Sequence, residues 1–334
     1  MASRDSTSPR YDLISFGETM LRLSAAGGRR LEETEALNVA IGGTESNVAV
    51  ALARLGRSVA WLSALPRNAW GRRIDGELRG HGVDTRHVIW SDDPTARAGV
   101  YYIESGQTPR PTRVVYDRAG STVARLEPEQ VDHAVVRSAR ALHLTGITPA
   151  LSTNCAAICA ALASTAAAVG VPLIFDVNYR ARLWAPEQAR AGLAALVSQA
   201  SLLICGADDA ATIWGLNGEP KTVARRLQEL SGARLVVLTL AERGALAIER
   251  AGGLWHQPAM PVTIVDPVGA GDAFAAGFLH RWLDAPADVA SALRAGVALA
   301  ALKMTMPGDL ALVTPAELDE ALALLDRPGQ DIQR

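Results

Sequence analysis

The chain has 334 residues, 49% of them hydrophobic and 20% charged, with a formal net charge of −2. That length and composition support a sizeable core in one large α/β domain or two smaller ones. No basic block and no acidic tail interrupts the chain, which removes the electrostatic support for nucleic-acid binding.

Residues 1–11 open with MASRDSTSPR, a polar stretch without the apolar segment of a secretory signal, and predict a disordered tail. One domain is expected over 12–326, followed by a short tail at 327–334. DLISFG (12–17) reads as the first buried strand. Region 18–40 then departs from the pattern. ESNVAVALARLG (45–56) is helical, SVAWLSAL (58–65) a strand and WGRRIDGELRGHG (70–82) a helix. Region 95–126 departs again, reading as a strand, a Pro-rich turn and another strand. These two β excursions predict a small lid built from separate segments.

From ALHLTGI (141–147) onwards strands and helices alternate. STNCAAICAALASTAAA (152–168) is helical and PLIFDVN (172–178) a strand. PEQARAGLAALVSQA (186–200), SLLICG (201–206), KTVARRLQELSG (221–232) and LVVLTL (235–240) continue the alternation. Apolar strand runs separated by helices are the pattern of a doubly wound, mostly parallel sheet buried on both faces. The uncharged run from Cys155 to Phe175 raises the question of a membrane span. It is rich in Ala, Ser and Thr, and VGVP (169–172) divides it into a helix and a strand, so a soluble reading is preferred. Cys155, Cys159 and Cys205 are an odd count in a large chain, which fits a reducing compartment and a cytoplasmic location. His143, in an apolar strand, reads as a hydrogen-bonded core residue. Trp61, Trp214 and Trp255 read as packing.

The stretch DPVGAGDAF (266–274) is followed by Phe274, Phe278 and Trp282 at helical spacing. A small-residue loop therefore opens a helix, which is the arrangement of an anion site. Neither G-x-x-x-x-G-K-[ST] nor a complete G-x-G-x-x-G is present. Asp272 at the loop–helix junction has two readings. It stabilises the helix N-terminus, or it accepts a proton from a hydroxyl that attacks phosphorus while the N–H groups of 269–271 hold the developing charge.

DPVGAGDAF resembles the D-T-x-G-A-G-D signature of ribokinase-like (PfkB) carbohydrate kinases. GGTESNVAVALARLG (42–56), NAWGRRIDGELRGHGVDTRHV (68–88) and VVLTLAERGAL (236–246) extend the resemblance from about Asp12 to Leu325. The resemblance implies a ribokinase-like central sheet flanked by helices with a β lid over a sugar. It implies ATP and Mg²⁺ as well, and leaves open whether K⁺ is required. It makes Asp272 the catalytic base and Gly269, Ala270 and Gly271 the anion hole. Thr239, Glu242 and Gly244, with Asn178, Gly269 and Gly271, fall at nucleotide positions, although Ala241 stands where Gly is usual. In CGADDA (205–210) the family's N-x-x-E appears as Gly206 and Asp209, so Asp209 is the residue left to serve hydrated Mg²⁺. Lid strands of such kinases often pair between subunits, which implies a homo-oligomer, a dimer or larger.

FDVNYRARLW (175–184) places Asp, Asn and Arg just past the end of a strand, the edge where open α/β sheets bind ligands. VVYDRAGS (114–121) puts Tyr116 and Arg118 on the lid. Two arginines suit a substrate with its own carboxylate. Together with FGETMLRLS (16–24) and LKMTMPGD (302–309), these stretches resemble 2-keto-3-deoxygluconate kinases within the family. That resemblance makes Gly42, Gly43, Asn47, Tyr101, Tyr116, Arg118 and Arg180 the sugar site and 2-keto-3-deoxy-6-phosphogluconate the product. The alternatives are a fructokinase or another acid-sugar kinase, a catalytically inactive nucleotide- and sugar-binding protein, and an NAD-dependent dehydrogenase, whose fingerprint is missing. The choice between gluconate and galactonate derivatives turns on one hydroxyl's configuration and stays open.

Overall fold

The computed structural model describes residues 9–106 and 109–326. Residues 1–8 and 327–334, read above as tails, lie outside the described residues. Tyr11, counted with the first tail, is buried and bridges to Ala139. The packed chain therefore starts one residue earlier than expected.

The strands, in chain order, are β1 (Leu13–Phe16), β2 (Met20–Ala25), β3 (Leu37–Gly42), β4 (Val59–Pro66), β5 (Val88–Ser91), β6 (Val100–Glu104) and β7 (Arg113–Asp117). They continue as β8 (Leu142–Thr145), β9 (Leu173–Asp176), β10 (Leu202–Gly206), β11 (Leu235–Thr239), β12 (Ala245–Glu249) and β13 (Leu254–Gln257). The helices are α1 (Thr44–Arg54), α2 (Ala69–Gly80), α3 (Thr153–Val169), α4 (Pro186–Gln199), α5 (Ala207–Trp214), α6 (Pro220–Ser231), α7 (Ala270–Trp282), α8 (Val289–Met304) and α9 (Pro315–Asp326).

The nine-stranded central sheet has the order β13-β12-β11-β10-β9-β8-β1-β4-β5. Its pairings are parallel from β5 to β11 and antiparallel only at β11–β12 and β12–β13. From β1 the chain winds outward to β4 and β5, then returns to β8 and winds the other way. The β1/β8 boundary is thus the switch point, where ligands bind beyond the carboxyl ends of the strands.

Alternate strand residues enter two different cores. Leu13, Val59, Trp61, Ile174 and Val237 pack with α1, α7 and α8 on one face. Ile14, Ala60, Leu62, Phe175 and Val236 pack with α3, α4 and α6 on the other. Burial of both faces is why these strands read as unbroken apolar runs.

The second sheet, β3-β2-β6-β7, comes from the two excursions. Its second segment ends at Asp117, short of the expected 126. Val123 and Leu126 belong to the core under the central sheet. The uncharged run resolves into α3 and β9. Ser152 caps α3 by accepting the N–H of Cys155, and Gly170 closes it in the left-handed region. Among the described residues no helix is long and apolar enough to cross a membrane. The three cysteines are buried free thiols. His143 departs from expectation. It is fully buried, yet neither ring nitrogen has a partner among the described residues, and burial lowers its pKa to about 4, so it packs as a neutral ring.

Candidate active site

The carboxyl ends of β8–β11, the glycine loop before α7, and the inner face of the four-stranded sheet enclose two adjoining cavities. One, of about 380 Å³, lies under the lid and receives Asn47, Tyr101, Asp176, Arg180 and Asp272. The other, of about 900 Å³, lies beyond β11 and is walled by Glu242, Gly244, Met260, Phe274 and Ala301. Gly206, Asp209, Thr239 and Gly271 line both, so they mark the junction.

The glycine loop enters α7 through Gly269, whose φ of 85° is in the left-handed region. A Cβ there would also overlap the carbonyl oxygen of Asp309. Gly271 is different. Its φ is not positive, and a Cβ would meet nothing within 4 Å. Its smallness matters only to something entering the cavity. The Ala270 N–H closes a long turn bond of 3.3 Å on the Pro267 carbonyl. The first-turn N–H groups of α7 have no helical acceptor, as at any helix start, and the loop ends there.

Asp272 is not a helix cap. The cap position is Gly269, and α7 has no side-chain cap bond. The Asp272 carboxylate, 7% exposed, instead accepts from Asn47 Nδ2 at 2.7 Å. Asn47 Oδ1 in turn accepts the N–H of Gly43 at 3.2 Å, which orients the amide. Burial raises the Asp272 pKa to about 7, against the pull of Asn47 and Arg180. Asp176, at the end of β9, is pushed to about 8 by burial and by the nearby Asp272 and Asp209. A buried carboxylate poised near neutrality, oriented by a fixed amide beside an anion loop, is equipped for general-base chemistry.

Every site residue expected from sequence lines one of the two cavities. Gly42, Gly43, Asn47, Tyr101, Tyr116, Arg118, Asn178, Arg180 and Asp209 lie in the smaller one, and Glu242, Gly244 and Ala270 in the larger. Gly42 and Gly43 are small because Tyr101 and the Glu18 backbone press against them. Tyr101 and Tyr116 face each other across β6 and β7, with ring centroids 5.9 Å apart. Asn178 adopts a positive φ of 38° as the chain turns off β9. The next N–H, of Tyr179, donates to Asp209 Oδ2 at 3.1 Å. Gly244 has a φ of 90°, and a Cβ would overlap the Gln257 carbonyl. Ala241 also has a positive φ, 51°, which gives the physical reason for glycine at this position in related loops.

The two arginines are not equivalent. Arg118 is already paired with the buried Glu18, with Nε 2.7 Å from Oε2. Arg180 is exposed and, among the described residues, donates only to the Tyr179 carbonyl at 3.0 Å. Glu18 was not expected in the site. The strand-end rule that singled out the Asp176–Arg180 stretch applies equally to FGE at the end of β1 and would have found it. Glu45 was missed as well. It is fully buried, accepts from Thr145 Oγ1 and Thr148 Oγ1 at 2.7 and 2.6 Å, and burial raises its pKa. In sequence it looks like an ordinary acidic first-turn residue. Asp309 carries no sequence signal beyond LKMTMPGD. It pairs with Arg22 of β2, which also pairs with Asp266 at the start of the glycine loop.

Among the described residues no group of three His, Cys, Asp or Glu side chains is placed to hold a metal directly. Asp209 lies at the cavity junction and Asp176 in the smaller cavity. That donor set suits a hard cation that keeps most of its waters and is otherwise held by phosphate oxygens.

A family model described as pfkB family carbohydrate kinase matches residues 11–316. A 2-dehydro-3-deoxygalactonokinase of Haloferax volcanii is 44% identical over 311 residues, 93% of this chain and 96% of that protein. A 2-dehydro-3-deoxygluconokinase of Thermoproteus tenax is 33% identical, covering 94% of each chain. The crystal structure of a 2-dehydro-3-deoxygluconokinase from Thermotoga maritima superposes with a TM-score of 0.86 at 30% identity, covering 95% of this chain and 99% of that one.

Proposed function

The chain belongs to the pfkB family of carbohydrate kinases, and within it we propose an ATP-dependent kinase that phosphorylates the terminal hydroxyl of a 2-keto-3-deoxyhexonate. The observation that carries this reading is Asp272: a buried carboxylate held by Asn47 in a sugar-sized cavity, next to Gly271, which that cavity shares with a larger one suited to a nucleotide. Asp272 takes the proton of the attacking hydroxyl. The hydroxyl oxygen then bonds to the γ-phosphorus as the bond to the β–γ bridging oxygen breaks, giving ADP and the phosphorylated sugar acid. The N–H groups of 269–271 face the charge on the transferred group. Thr239, Glu242 and Gly244 border the nucleotide, and Asn178 and Arg180 stand beside the transferred phosphate. Mg²⁺ would supply charge neutralisation on the phosphates, and Asp209 would hold its water shell.

The acid-sugar assignment rests on Arg118 and Arg180, the cations among the described residues of the smaller cavity. Tyr101, Tyr116, Gly42 and Gly43 shape the rest of the sugar's surroundings. Arg118 is partly neutralised by Glu18, so Arg180 is the less compensated of the two cations that give the cavity its preference for an acid sugar. The gluconate epimer, giving 2-keto-3-deoxy-6-phosphogluconate, is supported by the Thermoproteus and Thermotoga relatives. The galactonate epimer is supported by the 44% identical relative. Steady-state kinetics with ATP and both epimers, fructose and ribose test the reading. Higher kcat/KM for the acid sugars supports it, and a preference for fructose would overturn it while leaving the kinase. The outer lid strand leaves Val115 49% exposed, a face that the expected dimer would cover and that sedimentation can examine.

A further inference from the structure

Lys303 lines neither cavity, and the reading above leaves it without a task. It stands in the last turn of α8 and is 0% exposed. Lysine is almost never fully buried unless its ammonium is partnered. Here Nζ donates to the Asp266 carbonyl at 2.9 Å and to the Met306 carbonyl at 3.4 Å. A lysine in a last helical turn is ordinarily explained by the helix dipole. That explanation does not cover Asp266, which lies outside α8 and opens the glycine loop.

The surroundings give the contact its meaning. Asp266 Oδ1 accepts the N–H of Val268 at 3.1 Å, and Oδ2 accepts that of Gly308 at 3.1 Å. Arg22 bridges Asp266 and Asp309, and the Asp309 carbonyl abuts Gly269. Lys303 thus joins the two backbone segments that set the position of the glycine loop. The cluster holds two cations, Arg22 and Lys303, and two carboxylates, Asp266 and Asp309. Without the ammonium it would carry net negative charge beside the loop that must receive an anion.

We propose that Lys303 is a built-in cation of the anion loop. Its tethered ammonium takes the place that a free monovalent cation would fill among the Asp266 and Met306 carbonyls, and turnover needs no added K⁺. Lys303 is a positioning residue and touches neither substrate. The inference rests on the kinase reading for its consequence.

The test compares wild type and Lys303→Ala in tetramethylammonium chloride, then with K⁺ or NH₄⁺ substituted at constant ionic strength. Both kcat and ATP binding by calorimetry are followed. Wild-type kcat should stay within about twofold across the salts. Lys303→Ala should lose about tenfold or more in tetramethylammonium. Small cations should restore most of that loss saturably, as a purely structural lysine would not allow. Several-fold stimulation of wild type by K⁺ overturns the proposal. So does a folded variant with full kcat in tetramethylammonium, or one that no small cation rescues. Should Lys303→Ala not fold, the wild-type salt comparison decides alone. Should no sugar be phosphorylated, the kinase reading has failed, and the salt dependence of ATP binding in the two proteins still decides the role of Lys303.

Discussion

The glycine loop, 266–272, and the outer lid strand, 113–117, border the same cavity under different constraints. The loop is held by Arg22, Lys303 and the Asp309 backbone, and its Gly269 has no room for a side chain. The outer strand pairs on one side only and has four exposed residues in five. The glycine loop is thus placed where ion pairs and close backbone contact fix it. The cavity-lining residues of the outer strand, Val114 and Tyr116, sit on an edge where one side chain can change without disturbing either core of the central sheet. Preorganised donors stabilise transition-state charge because they need no reorganisation when it forms, whereas discrimination between sugars needs only a few replaceable contacts.

The largest expected effect tests the loop side. Asp272→Asn keeps the size and the contact with Asn47 but removes the base. Its kcat should fall on the order of 10²–10⁴-fold, with ATP affinity little changed. Near-full kcat, free of contaminating kinase, would remove the base assignment. In wild type, kcat/KM should rise with pH through about 7 as Asp272 loses its proton. Its coupling to Asp176 makes the observed value belong to the pair. The stability sign is opposite. A carboxyl raised from 3.8 to about 7 binds protons more tightly when folded, so stability falls as pH climbs through that window. Asp272→Asn should therefore melt higher than wild type at pH 8 while being far less active. A lower midpoint would mean that the ionised carboxylate stabilises the fold.

Next come the two glycines. Gly269→Ala meets both a left-handed φ and the Asp309 carbonyl, so it should lose stability and activity together. Gly271→Ala has open space for its methyl and should keep its far-UV spectrum and unfolding midpoint. Its activity should nonetheless fall about tenfold or more because the methyl stands where a phosphoryl group must approach. Parallel loss of stability in both variants would make the loop merely structural.

Around the charged groups of the smaller cavity the effects are smaller and selective. A charge-assisted hydrogen bond contributes about 1.5–3 kcal/mol, roughly one to two decades in kcat/KM. Arg180→Ala should remove about that much preference for the acid sugar and lower kcat as well. Arg118→Ala should raise KM for the acid sugar, since it leaves Glu18 buried and unpaired. Glu18→Gln should lower it by freeing Arg118. Unchanged acid-to-neutral ratios in all three would break the contrast between the loop and the charged side chains of the smaller cavity.

The smallest effect is at Ala241. Ala241→Gly relieves a positive φ and should stabilise by about 0.5–1 kcal/mol, a rise of about 1–4 °C in Tm, with kinetics unchanged. No rise would mean that the turn carries no strain.

Several elements were invisible in sequence for identifiable reasons. The helix α8 is buried along most of its length, so it lacks the two-sided pattern that marks a helix. The strand β5 has four residues, and the antiparallel β12–β13 pair follows a turn that resembles a nucleotide loop more than a hairpin. The cap reading of Asp272 failed because α7 is entered through Gly269, which puts the carboxylate inside the first turn, where it meets Asn47 Nδ2.

By itself the sequence determined the doubly wound class, the two segments of the small second sheet and the glycine loop that opens a helix. Strand burial on both faces, excursions from the α/β rhythm and a glycine-rich helix start are local signals, written in consecutive residues. Only the tertiary structure decided that Asn47 holds Asp272 across 225 positions, that Glu18 neutralises Arg118 across 100, and that Lys303 reaches the Asp266 carbonyl across 37. Those contacts join residues whose own neighbours in the chain carry no trace of the partner. Their chemistry follows from burial, which raises a carboxyl pKa or fixes an ammonium only once the surrounding elements have closed.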